Sequence, residues 1–336
     1  MATHDIIVVG ASAGGVEVLT KLVSGFSARL PASVFIVVHV PPFARSVLPD
    51  ILSRAGPLPV AHARSDEAVR PGHIYVAPPD RHLVLEAGRV YLSSGPRENR
   101  VRPAIDTLFR TAAISYGARV VGVVLSGTLS DGTAGLYEIK QRGGIAIVQD
   151  PKDALFPDMP KNALDQVPID YVLPASKIAD ILTTLADQPL EDDEGGSKDM
   201  APDERPGAEV VADDIVNEID GRRNGELAIY TCPECSGALW QVNAGKVVRF
   251  TCHVGHVYTG DDLLEGYSEV LERSLWHAAR TLRDRANLMQ QLANVARERG
   301  SRKTAARYEE ETRTDSEHAE VIERMIAGGA IVDEPN

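Results

Sequence analysis

A chain of 336 residues is longer than most single domains, and its 43% hydrophobic content suffices for a sizeable core, so we expect two domains. The formal net charge of −13 argues against nucleic-acid binding, which requires a basic face. No apolar run approaches the ~20 residues of a membrane-spanning helix. The N-terminus lacks a secretory signal, so we expect a cytoplasmic protein without membrane insertion.

The first part of the chain alternates between short apolar runs and helical patterns. The apolar, β-branched runs are typical of buried parallel strands: Ile6–Val9, Val34–Val38, Val120–Leu125 and Ile145–Val148. The helical patterns cover Gly15–Phe26, Pro103–Tyr116 and Thr133–Arg142. Between Ile74 and Leu92, short alternating runs separated by turns predict an antiparallel hairpin insertion. We therefore predict an α/β domain over residues 1–186, with a doubly wound, mostly parallel sheet.

The first apolar run leads into the segment Gly10–Gly14, GASAG, which fits the pattern G-x-S-x-G between a strand and a helix. A tight turn in that context lifts the hydroxyl of Ser12 above the sheet, as in serine esterases. The same layout also binds phosphate in nucleotide-binding proteins. Neither the dinucleotide pattern G-x-G-x-x-G nor a P-loop lysine is present, although this segment alone leaves both interpretations open.

A serine nucleophile needs a base and an orienting acid. His39 follows the second apolar run, and ligand sites gather at such strand ends in open α/β sheets. Two acids are candidates, Asp131 after the third run and Asp150 after the fourth. The loop LSGTLSDGTAG around Asp131 is rich in Gly, Ser and Thr, so it can approach the other strand ends closely. This favours Asp131 without excluding Asp150.

Six segments occur in order along residues 5–185: GASAGG, VVHVPP, RPGHIYVAPPDRHL, RPAIDTLFRTAA, LSGTLSDGTAGL and QDPKDALFPDMPKNAL. Together they resemble the catalytic domain of the chemotaxis protein-glutamate methylesterases. That family hydrolyses glutamate methyl esters on chemoreceptors, and some members deamidate glutamines. The resemblance implies Ser12 as nucleophile, His39 as base and Asp131, rather than Asp150, as acid. It also implies no catalytic cofactor and a methylated chemoreceptor-like protein as substrate.

Three features depart from the family pattern. Ala13 stands where threonine is common, so a hydroxyl near the site is missing, and Thr128 stands where methionine is common. Well-known members also carry an N-terminal receiver domain, whereas this chain begins at the esterase strand, so we expect no control by an attached receiver. These departures keep one alternative open, in which the fold serves as a catalytically weak or inactive signalling module.

Residues 187–226 are acidic and poor in large apolar side chains, which predicts a flexible linker. Beyond it, Cys232 and Cys235 are followed by Cys252 and His256, a spacing typical of tetrahedral zinc sites. We predict a structural zinc in a ribbon-like segment over residues 227–260. His253 is an alternative fourth ligand, and three free buried cysteines are the plain alternative. Similar ribbons accompany some receiver-less relatives of the methylesterases.

The last part of the chain, residues 261–327, predicts a helical hairpin with a break at Gly300–Ser301. Its predicted apolar face consists of Leu271, Leu275, Ala278, Leu282, Leu288 and Leu292. The mixed charges of the second helix favour a solvated face. A signalling partner bound to these helices, or a dimerising coiled coil, is the alternative.

Overall fold

The structure, a computed structural model, describes residues 2–43, 46–86, 88–190, 225–244 and 247–327. The chain divides into two compact units, Met1–Leu263 and Leu264–Asn336. The first contains three sheets, and the second contains helices. Most of the predicted linker, residues 191–224, lies outside the described residues.

A seven-stranded parallel sheet forms the centre of the first unit. The first ten strands are β1 (Ile6–Ala11), β2 (Ser33–Val38), β3 (Val60–His62), β4 (Glu67–Ala68), β5 (Ile74–Val76), β6 (His82–Glu86), β7 (Arg89–Ser93), β8 (Val120–Val124), β9 (Ile145–Gln149) and β10 (Tyr171–Leu173). The parallel sheet has the order β10-β9-β8-β1-β2-β5-β3. Because the order reverses between β1 and β8, the loops after these strands lie side by side, where ligand sites form.

Helices cover both faces of this sheet, which confirms the doubly wound prediction. The helices of the first unit are α1 (Gly15–Ser24), α2 (Leu48–Ala55), α3 (Ile105–Tyr116), α4 (Thr133–Gln141), α5 (Asp158–Gln166) and α6 (Ala175–Asp187). In β1, Ile7 and Val9 pack into the core formed with α1, α2 and α6. Ile6 and Val8 pack into the core with α3, α4 and α5 on the other side. This alternation is the two-residue period of a strand buried on both faces.

The antiparallel insertion is smaller than the sequence predicted. Strands β6 and β7 pair as a hairpin, with β4 on the outer edge of β7. The first of the alternating runs, Ile74–Val76, instead joins the parallel sheet between β2 and β3. All three of its residues are buried, and so short a run has no periodicity that separates a parallel strand from a hairpin strand.

A second antiparallel sheet, which we call the ribbon, ends the first unit. It comprises β11 (Glu226–Thr231), β12 (Ala238–Ala244), β13 (Val247–Cys252) and β14 (Val257–Thr259), paired in chain order. Strand β14 runs directly into a long helix, α7 (Gly260–Glu298). Thr259 caps this helix, since its hydroxyl accepts the amide of Asp262 at 3.3 Å.

Helix α7 and helix α8 (Arg302–Ala327) form the predicted hairpin, and Gly300 between them has the left-handed φ of +76°. Its predicted apolar face was wrong in part. Leu275 and Leu282 are half-buried, but Ala278 is exposed. Leu271, Leu288 and Leu292 are exposed, whereas the buried face consists of Ala279, Ala286, Met289, Ala293 and Ala296 from α7 with Ala305 and Ala319 from α8. Small side chains let the two helices approach closely. Among the described residues, no helix is both long and apolar enough to cross a membrane.

Candidate active site

Ser12 follows β1 in a tight turn that only small residues allow. Gly14 has a left-handed φ of +70°, and the amide of Gly15 donates to the carbonyl of Ser12 at 2.9 Å. A Cβ at Gly10 would lie 2.3 Å from Cγ2 of Ile105, because α3 packs directly against this strand. The glycines of the pattern G-x-S-x-G therefore serve backbone geometry and close packing at this turn.

His39 lies beside Ser12 because the two parallel strands end together. Ala11 pairs with Val38, and the next residue of each strand extends to the same edge. Nδ1 of His39 lies 3.0 Å from Oγ of Ser12, and Nε2 lies 2.7 Å from Oδ2 of Asp131. Since a carboxylate only accepts, Nε2 carries the proton and Nδ1 is left to accept the serine hydroxyl. The ring thus faces the serine through the opposite nitrogen from the usual serine-protease arrangement.

Asp131 is 2% exposed and receives hydrogen bonds on both oxygens. Oδ2 accepts the His39 ring and the amide of Ile105 at 2.7 Å. Oδ1 accepts the amide of Asp106 at 3.1 Å and Nδ2 of Asn99 at 2.9 Å. The two amides belong to the first turn of α3, where the helix dipole favours negative charge. These four donors fix the orientation of the carboxylate.

Asp106 is a second buried carboxyl group next to Asp131. Burial raises its pKa well above the usual range, and the negative charges of Asp131 and Glu98 raise it further. Its oxygens accept the amide of Gly135 at 2.6 Å and Nδ2 of Asn99 at 2.8 Å. We therefore expect Asp106 to stay protonated to higher pH than an ordinary aspartate.

Glu98 forms a buried ionic cluster behind the site. It accepts two hydrogen bonds from Arg110, both at 2.8 Å, one from Thr107 at 2.8 Å and one from Arg249 of the ribbon at 3.3 Å. Burial alone would raise the pKa of Glu98, but the two guanidinium groups outweigh it and lower the pKa to about 2. The cluster fixes the segment that carries Asn99.

The loop between β8 and Asp131 presses against the nucleophile. The amide of Ser12 donates to the carbonyl of Ser126 at 2.9 Å, and the hydroxyl of Ser126 donates to the carbonyl of Ala13 at 2.9 Å. A Cβ at Gly127 would lie 2.8 Å from Cβ of Ser12. The next residue, Thr128, is exposed. The amide of Ser12 is therefore engaged within the protein, and other amides must face a developing oxyanion.

A cavity of about 120 Å³ opens beside His39. Its lining consists of His39, Val40, Pro42, Asp80, Arg97, Arg100, Val101, Arg102 and Pro103. Arg102 is paired with Asp80 at 2.7 Å. The cavity is small and carries positive charge, which suits a short side chain from an acidic polypeptide better than a large cofactor.

The first unit is similar to known proteins. A family model described as CheB methylesterase matches residues 7–182. The chain belongs to the CheB methylesterase family. The crystal structure of the Thermotoga maritima CheB methylesterase catalytic domain is similar, with a TM-score of 0.52 and 36% identity, covering 54% of this chain and 98% of that one.

The relatives are named for the same family. Proteins named protein-glutamate methylesterase/protein-glutamine glutaminase come from Thermotoga maritima, 36% identical over 184 residues, and Pyrococcus abyssi, 40% identical over 177 residues. The matches cover 54% and 51% of this chain, and the chain spans only about half of those relatives, 54% and 48%. A Leptospira interrogans relative is 36% identical over 189 residues, 56% of this chain and 98% of that protein.

Asp150 and Asn99, both within the part that matches the CheB family, differ in their relation to Asp131. Asp131 contacts His39, whereas Asp150 lies in the turn after β9, where it accepts the amide of Lys152 at 2.9 Å. The sequence prediction missed Asn99, which bonds to Asp131 and Asp106 at once. The only sequence signal was a polar residue in the segment RENRVRPAID, shortly before the helix whose first amides bind the acid.

The four predicted metal ligands lie outside the CheB match and form a cluster in the ribbon. The ligand atoms of Cys232, Cys235, Cys252 and His256 all lie within 4.8 Å of one another, and His253 is not among them. Sγ of Cys252 and Nδ1 of His256 are 3.4 Å apart, and the sulfurs of Cys235 and Cys252 are 3.6 Å apart. A tetrahedral zinc site requires ligand atoms roughly 3.5–3.8 Å apart. The cluster therefore fits a zinc ion.

Glu234 supports this interpretation of the cluster. Its Oε2 lies 3.4 Å from Nε2 of His256, the ring nitrogen that faces away from the sulfurs. Metal-ligating histidines usually direct their second nitrogen at a carboxylate, which fixes the ring orientation. Four protein ligands leave no open position for water, so a metal here would be structural.

Proposed function

We propose that this protein is a serine carboxyl-ester hydrolase that demethylates glutamate methyl esters on a chemoreceptor-like protein. The observation that carries the proposal is the continuous hydrogen-bonded line from Ser12 through His39 to Asp131. Membership of a family whose relatives are named protein-glutamate methylesterase/protein-glutamine glutaminase supplies the substrate class. The intact line counts against the alternative of an inactive signalling module.

The first half of the reaction transfers the acyl group to the enzyme. Nδ1 of His39 takes the hydroxyl proton as Oγ of Ser12 attacks the ester carbonyl. The tetrahedral intermediate collapses when His39 returns that proton to the methoxy oxygen, and methanol leaves. Asp131 stabilises the imidazolium that exists between these two steps. A glutamine side chain would follow the same course and release ammonia.

The second half returns the enzyme to its starting state. Water enters where methanol left, His39 removes its proton, and the hydroxide attacks the acyl carbonyl. Collapse breaks the bond to Oγ of Ser12, which regains its proton, and the product is a glutamate carboxylate. Amides of the Ser12 turn and of the loop around Thr128 would hold the oxyanion in both halves. Because Thr128 would act through its backbone, its departure from methionine would be tolerated.

Zinc is the metal we propose for the ribbon. Cys232, Cys235, Cys252 and His256 would hold it, and it would supply a structural cross-link rather than chemistry at the ester. We assign residues 1–186 to catalysis, 227–260 to the zinc ribbon and 261–327 to the helical hairpin, with an acidic linker over 187–226. A cytoplasmic location follows from the substrate class. A signalling partner would bind the exposed leucines of α7, such as Leu271 and Leu288.

Methanol release from a methylated chemoreceptor fragment tests the proposed reaction. We expect release by the wild type and by Ser24→Ala, a matched serine variant on the exposed face of α1, and none by Ser12→Ala. A fluorophosphonate probe, which labels activated serines, should modify Ser12 in the same samples. Labelling without methanol release would contradict the substrate class, and failure of both would contradict the esterase.

A further inference from the structure

The geometry points to the ribbon as a working part of the active site: through Asn99 it positions Asp131, so metal binding to the ribbon controls the reactivity of Ser12. This inference rests on the proposed esterase function. Asn99 is a positioning residue here, since it touches the catalytic acid and not the substrate. The inference depends on contacts at three levels, namely backbone, side chain and buried ion pair.

The backbone contact joins the last ribbon strand to the segment before α3. The amide of Asn99 donates to the carbonyl of Val257 at 2.7 Å, and the amide of Val257 donates to the carbonyl of Arg97 at 3.3 Å. These two bonds form a parallel bridge between Glu98 and Val257. Strand β14 thus pairs with residues 97–99, the segment that carries Asn99. In the described part of the chain, this segment belongs to no other sheet.

The side-chain contact continues directly to the catalytic acid. Oδ1 of Asn99 accepts the amide of Thr259 at 3.1 Å, while Nδ2 donates to Asp131 at 2.9 Å and to Asp106 at 2.8 Å. Asn99 is 3% exposed, and its φ of +50° is left-handed. A backbone in that region persists only when its surroundings hold it. The ribbon supplies two of those restraints, at Val257 and Thr259.

Two further contacts lie on either side of this one. The hydroxyl of Ser130, which immediately precedes Asp131, lies 2.7 Å from that of Thr259 and donates to Asp262 at 2.9 Å. On the other side, Arg249 of β13 donates to the buried Glu98 at 3.3 Å. The ribbon therefore contacts both the loop that carries Asp131, which we call the acid loop, and the segment of residues 97–99 that orients Asp131.

The metal ligands lie next to these contacts in the chain. His256 immediately precedes Val257, and Cys252 ends β13, so the turn between them positions β14. The ribbon is too small to build a large core, and such segments obtain their stability from the metal. Loss of the metal should therefore release Val257 and Thr259 first, and Asn99 with them.

The experiment compares the zinc-loaded full chain with chain stripped by a chelator under reducing conditions. We expect metal removal to increase amide exchange in residues 97–106 as well as in the ribbon, without change in α6. Labelling of Ser12 by the fluorophosphonate should fall roughly ten- to a hundredfold, the loss expected for one hydrogen bond to a charged group, and recover with zinc. Exchange confined to residues 226–259, with unchanged labelling, would overturn the inference.

A substitution in the zinc-loaded chain tests the same link if stripping unfolds the whole protein. Asn99→Asp keeps the shape of the side chain and its acceptor for Thr259 but removes the donor to Asp131. We expect full zinc content, unchanged exchange in α6 and the same fall in labelling, whereas Ile229→Ala, on the exposed ribbon edge, should label like the wild type. On a methylated fragment, kcat should fall while KM stays within about twofold.

Wild-type labelling by Asn99→Asp would overturn the inference, because Ser12 would then react normally without the amide donor of Asn99. The readouts are independent of the proposed substrate. Absence of methanol release from the wild type would contradict only the proposed function, because amide exchange and serine labelling remain measurable.

Discussion

The two polar clusters of the first unit are assembled in opposite ways. Ser12, His39 and Asp131 come from three strand ends far apart in the chain and meet only because the parallel sheet brings those ends together. The four ribbon ligands come from two neighbouring turns and need little besides a metal to hold them. The proposed catalytic site thus depends on the whole sheet, whereas the ribbon would depend on the single zinc ion proposed for it. Asn99 links the two clusters, because its side chain bonds both to Asp131 and to Thr259 of the ribbon.

The largest effect is expected when the acid of the Ser12, His39 and Asp131 cluster is replaced. Asp131→Asn should lower kcat by about 10⁴-fold, as for a serine triad whose histidine is left in the wrong tautomer. The measurement is steady-state ester hydrolysis, with Asp150→Asn as the matched control. Equal losses in both variants would contradict the assignment of the acid.

Packing around the nucleophile should have the next largest effect. In Gly127→Ala the new methyl group would lie 2.8 Å from Cβ of Ser12 and 2.0 Å from the buried sulfur of Met159, so the serine must move. A displacement near 1 Å costs about 100-fold in kcat. Gly260→Ala, where the added Cβ meets nothing within 4 Å, is the control for the same substitution. Comparable activity of the two variants would show that the loop is looser than described.

The contact between ribbon and acid loop should respond to pH. Burial and the nearby charge of Asp131 raise the pKa of Asp262, while hydrogen bonds from Thr259 and Ser130 and the charge of Arg100 oppose the increase, so that the net pKa is about 6. Since the folded pKa exceeds the unfolded value, the free energy of unfolding should fall as pH rises from about 4 to 6, by about 3 kcal/mol.

Denaturant unfolding at pH 4.5 and pH 7 measures this dependence. Asp262→Asn retains an acceptor for Ser130 and Thr259 but cannot ionise, so its unfolding free energy should decrease less over that range. Asp106, whose pKa is also raised, should leave part of the slope in place. The exposed neighbour Asp261→Asn serves as the control, and a slope equal to that of Asp262→Asn would argue against the burial of Asp262.

The smallest effect is expected for a change confined to the metal-ligand cluster of the ribbon. Glu234→Ala removes the carboxylate behind His256, so zinc affinity should fall about 10- to 100-fold, as for other supports of metal ligands. Competition with a chromophoric chelator measures the affinity. At saturating zinc, ester hydrolysis should equal that of the wild type. Lost activity in the fully loaded variant would mean that Glu234 has a second role.

Sequence patterns predicted those features of the structure that are determined by residues close together in the chain. The turn at Ser12, the strand-end position of His39 and the ligand spacing of the ribbon are all legible within short segments. The family resemblance was needed to choose Asp131 over Asp150, because strand order is set by tertiary packing. Tertiary packing also explains why Ile74–Val76 was not predicted as a parallel strand. It pairs with β2 and β3, and not with β4 or β6, the strands next to it in the chain.

Contacts between distant segments explain the remaining differences. Asn99 gains its importance from Asp131 and Thr259, neither of which lies near it in the chain. In the helical hairpin, leucines at regular spacing suggested the buried face, yet most of the fully buried residues are alanines, and Leu275 and Leu282 are only half-buried. Close approach of two helices favours small residues, and the apolar pattern of one helix does not show how closely the other helix packs against it.

The parallel bridge between Glu98 and Val257 also bears on how this polypeptide can be divided. Cutting after residue 190, beyond the end of the CheB match, would yield a fragment with the whole parallel sheet and with Ser12, His39 and Asp131. It would also uncover a new edge, with the amide of Asn99 and the carboxylate of Glu98 losing their ribbon partners. Such a fragment would therefore have an unpaired strand edge and would not be a complete domain. Its surest remedy would be the missing ribbon, added back as a separate peptide.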